Sequence, residues 1–73
     1  MKIIINCGLM ASNIISLLEN YEGEAKYKLK SIEGIKMIFD VQINTDHDIV
    51  ALTKQIIRST PIGKNLIFQV MTE

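Results

Sequence analysis

Three groups of residues have types and spacing that could do chemistry. Cys7 is the only cysteine. It falls between a strand end and a helix start, where a helix terminus can lower a thiol pKa and favour the thiolate. No basic residue sits near it in sequence, and a small buried side chain in a tight turn explains it more simply. His47 lies between Asp46 and Asp48, in the predicted first turn of a second helix. A helix N-terminus disfavours imidazolium and could tune a base. Adjacent positions suit metal ligation poorly, and a solvated capping segment is the plainer reading. Lys26, Lys28 and Lys30 make a basic stripe that could grip phosphate. Tyr27 points away from that stripe, so aromatic interleaving for nucleic acid is absent. Lysines in this pattern also protect sheet edges. Gly8, Gly34 and Gly63 have no phosphate-loop spacing. These residues form no catalytic constellation and imply no cofactor or metal, and they specify no small-molecule ligand.

The elements that must position these residues are legible in the pattern. Lys2–Asn6 carries three successive isoleucines, apolar on both faces, as a strand buried in mid-sheet is. Cys7-Gly8 is a turn. From Leu9 the period becomes helical, with Met10, Ile14, Leu17, Leu18 and Tyr21 on one face and Gly23 as a stop. Ala25–Lys30 alternates strictly and predicts a half-buried strand, followed by a turn over Ser31–Gly34. Ile35–Ile43 alternates again, with Ile35, Met37, Phe39, Val41 and Ile43 inward and Ile38 breaking the polar face. Thr45 and Asp48 fit a capping box, and Ile49, Leu52 and Ile56 make the stripe of a second helix. Pro61 and Gly63 break the chain before a last strand over Leu66–Met71.

This βαββαβ order predicts a single α+β domain over residues 1–73, a ferredoxin-like open-faced sandwich. Its four-stranded antiparallel sheet would carry both helices on one face. The first and third strands would be central, the lysine strand one edge and the last strand the other.

A chain of 73 residues that is 48% hydrophobic folds as one small unit. At this size it buries roughly 60–65% of its unfolded surface, so a single core supplies modest stability and self-association would add to it. Eight basic and eight acidic residues cancel. No global field draws nucleic acid or an anionic membrane. The early apolar run is too short for a signal peptide, and Asn6 breaks it. One cysteine gives no internal disulfide, and a reducing, cytoplasmic setting is the expectation.

The sheet face away from the helices should be polar in a monomer. Here it would carry Ile38, part of the Ile3–Ile5 run, and Ile67 with Met71 or their neighbours. The last edge strand has no internal charge and no proline. Ile38, Ile67 and Met71 are therefore the expected interface of a homodimer or of a complex with a protein partner.

Two stretches are similar to a family. Gly8-Leu-Met-Ala-Ser-Asn-Ile-Ile-Ser-Leu-Leu18 resembles the first-helix motif Gly-Leu-His-Ala-Arg-Pro-Ala of HPr phosphocarrier proteins, and Lys30-Ser-Ile-Glu-Gly-Ile35 resembles their Lys-Ser-Ile-Met-Gly-Val segment. The resemblance implies a truncated HPr-like fold and a regulatory role for Ser31. Met10 stands where the family's phosphorylated histidine falls, so phosphoryl transfer in that manner is excluded there. Lys2 to Asn13 also resembles the start of phosphotransferase-system B domains, whose cysteine carries phosphate. That likeness implies an alternative function, a phosphotransferase-related or thiol-dependent component acting through Cys7. The reading that the residues favour is a small, non-enzymatic regulatory or protein-interaction module that self-associates.

Overall fold

The structure is a computed structural model that describes residues 1–43 and 48–72. Its elements in order are β1 (Lys2–Asn6), α1 (Ala11–Glu19), β2 (Ala25–Glu33), β3 (Lys36–Ile43), α2 (Ile49–Arg58), a 3-10 turn (Gly63–Asn65) and β4 (Gln69–Thr72). The four strands form one antiparallel sheet in the order β2-β3-β1-β4. The triple-isoleucine and nine-residue alternating segments thus give the central strands, and the lysine strand and the last strand give the edges.

One face of this sheet holds the core. Ile3 and Ile5 of β1, Tyr27 of β2, Met37, Phe39 and Val41 of β3 and Val70 of β4 are buried against Ile14 and Leu18 of α1 and Ile49, Ile56 and Ile57 of α2. Pleating sends alternate residues to opposite faces, which selects this set. Three rings interlock edge to face: Tyr21 with Tyr27 at 6.1 Å, and Tyr27 with Phe39 at 6.4 Å. The buried Thr53 is satisfied within the core. Its hydroxyl donates to Ile49 O at 2.7 Å, which leaves Tyr27 OH to donate to Thr53 Oγ1 at 2.9 Å. Burial pushes the Tyr27 hydroxyl above its ordinary pKa, and the Thr53 contact opposes that rise.

Several boundaries differ from those the sequence predicts. Met10 is the N-cap of α1 and not part of its apolar face. It has φ +62°, and its carbonyl accepts the first helical bond from Ile14 N. α1 ends at Glu19, before Gly23, with Asn20 as its C-cap. β2 runs on to Glu33 through a bulge between Leu29 and Ser31, so the turn shrinks to Gly34 and Ile35. Gly34 enters it at φ +62°, a region open to glycine without a Cβ penalty. Ile35, expected inward on a strand, is instead an exposed turn residue. Asp48 is itself the N-cap of α2 and accepts from Val50 N and Ala51 N through Oδ1. The expected partner in a capping box, Thr45, lies outside the described residues, as do Asn44, Asp46 and His47.

β4 is shorter than predicted. Arg58 explains this. Its Nη1 donates to Leu66 O at 2.9 Å and to Gly63 O and Lys64 O at 3.3 Å, and its guanidinium lies 4.7 Å from the Phe68 ring centre. These contacts hold the Leu66–Phe68 segment toward α2 and delay pairing with β1 until Gln69.

Candidate functional site: the open sheet face and the outer edge

The sheet face without helices is organised in rows by register. Met71 of β4 stands opposite Ile4 of β1, Ile4 opposite Ile38 of β3, and Ile38 opposite Ser31 of β2. Three apolar side chains in line therefore cross three strands. On one side of this row run Gln69, Asn6, Lys36 and Glu33; on the other run Lys2, Asp40 and Lys28. Ile4 and Ile38 are half-buried, while Met71 remains 40% exposed. Asn6 Oδ1 is buried and has no hydrogen-bond partner.

Ile38 and Met71 thus lie in one row, joined through Ile4. The triple-isoleucine run carried the signal for Ile4, but only the register shows that it joins the other two. Ile67 falls elsewhere. It is 90% exposed and precedes β4, because the Arg58 clamp keeps its segment off the sheet. Ser31 closes the apolar row at the far edge, past the bulge.

The lysines do not form a continuous stripe. Lys26 and Lys28 share the open face, but the bulge removes Lys30 from their line. Lys28 faces Asp40, and Glu19 and Asp40 share with Lys26 and Lys28 the concavity at that edge. Carboxylates interleaved with ammonium groups weaken attraction for an anion.

Cys7 is 4% exposed. Its Sγ donates to Leu9 O at 2.9 Å and faces Ile67 O at 3.8 Å, and its N–H donates to Ile35 O. The thiol thereby ties the approach to α1 to the segment before β4. Among the described residues no group of three or more His, Cys, Asp or Glu side chains converges as metal ligands do. No helix of the described residues is long and apolar enough to cross a membrane.

A groove of about 500 Å³ separates α1 from α2 and the 3-10 turn. Ile14, Leu17, Tyr21, Ile57, Ile62 and Leu66 line its apolar part, and among the described residues no charged one lines it.

The two sheet edges differ in ways that bear on association. β2 carries lysines and a bulge, and Glu19 Oε2 accepts the Leu29 N–H on that edge at 3.1 Å. β4 (Gln-Val-Met-Thr) has no charged residue, no proline and no bulge. No family model matches this chain, and no curated protein or solved structure matches it.

Proposed function

We propose that this chain is a small, non-enzymatic, cytoplasmic interaction module that associates with itself through its open sheet face or its outer edge strand β4. We assign it a ferredoxin-like βαββαβ architecture, supported by the strand order β2-β3-β1-β4 with one helix after β1 and one after β3.

The observation that carries the functional reading is the row Met71–Ile4–Ile38, apolar and continuous across an otherwise polar face. A sheet face that meets only water gains nothing from such a row, whereas a covered one gains burial at about 25 cal/mol per Å². The burial of Cys7 beneath backbone carbonyls supports this reading over one in which the thiol is a nucleophile.

Sedimentation equilibrium of the wild-type chain and of Met71→Lys tests the proposal. The wild type associates, and the lysine, set at the exposed end of the row, weakens association at least tenfold with the far-UV spectrum unchanged. A wild type that stays monomeric at every concentration overturns it.

A further inference from the structure

We infer that β4 is the joining edge. Two copies pair β4 with β4 antiparallel about a two-fold axis through Met71, which makes one continuous eight-stranded sheet. This rests on the self-association proposed above and specifies its geometry.

The backbone hydrogen bonds of β1 set the register. Cys7 N donates to Ile35 O, and Val41 N donates to Met1 O. Odd-numbered residues of β1 therefore direct their backbone groups toward β3. By alternation Ile4 and Asn6 direct theirs toward β4. Their partners there are Met71 and Gln69. Val70 and Thr72 consequently point their N–H and C=O groups outward, where the sheet has no further strand among the described residues.

A two-fold axis perpendicular to the sheet must pass between identical residues. An axis at Met71 pairs Val70 with Thr72 of the second copy, and Thr72 with Val70. All the outward groups of the strand then find partners within β4. The two Met71 side chains meet at a non-hydrogen-bonded position, on the open face of both copies. The apolar row becomes Ile38–Ile4–Met71–Met71–Ile4–Ile38, unbroken across the junction. An axis at Val70 would instead set Gln69 opposite Met71 and break that row.

The edges also favour a second copy as the occupant. β2 is guarded by Lys26, Lys28, its bulge and Glu19, and β4 by none of these. The uncharged β4 meets its own copy without repulsion. An isologous pairing of this kind closes after two chains and leaves only guarded edges outside.

Thr72→Pro separates this inference from the broader proposal. Proline removes an outward N–H and leaves the bonds from Met71 and Gln69 to β1 intact. The variant keeps its far-UV spectrum and loses association by tenfold or more in sedimentation equilibrium. If the wild type associates and Thr72→Pro associates equally, the edge pairing is wrong while self-association stands. If the wild type never associates, both fall.

Met71→Cys gives a reading that does not depend on the proline variant folding. Opposed non-hydrogen-bonded residues have Cα atoms about 4.5 Å apart, within the usual disulfide span of about 4.4–6.8 Å. Mild oxidation yields a covalent dimer from Met71→Cys and little from Ile38→Cys, which lies two strands from the axis. Equal yields, or none from Met71→Cys, contradict the arrangement.

Discussion

Met71 on the last strand stands directly opposite Ile4 on the first, on the face that no helix covers. The two residues lie far apart in the chain, and the sheet brings them together. Together with Ile38 they convert a polar sheet surface into one with an apolar line along it. The same pairing makes β4 an edge with a defined register, whose outward backbone groups belong to Val70 and Thr72. The proposed association and the fold thus share one cross-strand contact.

The Arg58 clamp should matter for stability. Arg58→Ala removes three contacts to carbonyls and the stacking on Phe68. The side chain is exposed, so the expected loss is about 1 kcal/mol, the scale of a net hydrogen bond plus an exposed cation–π contact. Urea titration of both proteins checks it. Arg58→Lys recovers only part, since an ammonium lacks the planar fork.

The Tyr27–Thr53 pair predicts coupling. Thr53→Val leaves the buried Tyr27 hydroxyl without its acceptor, at a cost of about 1–3 kcal/mol. The double variant Tyr27→Phe with Thr53→Val loses less than the sum of the single variants, as contacting residues do.

Alkaline pH should destabilise the fold through the same residue. Burial raises the Tyr27 pKa above its ordinary 10.0. The unfolded chain therefore releases this proton first, and the folded state holds more protons. The stabilising contribution is full below pH 10 and is lost as pH rises through the higher, folded-state pKa. Denaturation midpoints should hold steady from neutral pH to about 9 and fall beyond 10. Tyr27→Phe should show a smaller alkaline fall.

Gly63 predicts a strict steric requirement. A Cβ there would sit 1.9 Å from Ile57 O, so the turn and the end of α2 cannot both keep their places. Gly63→Ala should cost about 1–3 kcal/mol, the range of overpacked sites. Thermal unfolding measures it.

Cys7 decides between the interaction module and a thiol-dependent component. With its Sγ covered and held by Leu9 O, the native thiol should react with iodoacetamide far more slowly than the same thiol in urea. Native labelling as fast as unfolded labelling would favour the thiol-dependent reading.

The order of elements and the central place of β1 and β3 were legible in the sequence because they rest on periodicity. The triple isoleucine and the nine-residue alternation over Ile35–Ile43 mark the strands with neighbours on both sides, and the alternating lysines mark an edge. Register was less legible. The bulge between Leu29 and Ser31 shifts Ser31 onto the open face, and it takes Lys30 out of line. The hairpin closed on two residues, so Ile35, apolar by type, ended in the turn. Ile67 had the right residue type for a strand, but Arg58 held its segment elsewhere. These are tertiary contacts across several residues, which local pattern does not encode. The apolar line itself was half legible: Ile38 and Met71 stood out as apolar residues on a polar face, whereas the place of Ile4 between them needed the pairing.

The most direct measurement is sedimentation equilibrium of the wild-type chain across a concentration series. Two-fold self-association through the β4 edge predicts a concentration-dependent rise from the 8.3 kDa chain to a limit at twice that mass. A single 8.3 kDa species at the highest concentration contradicts it.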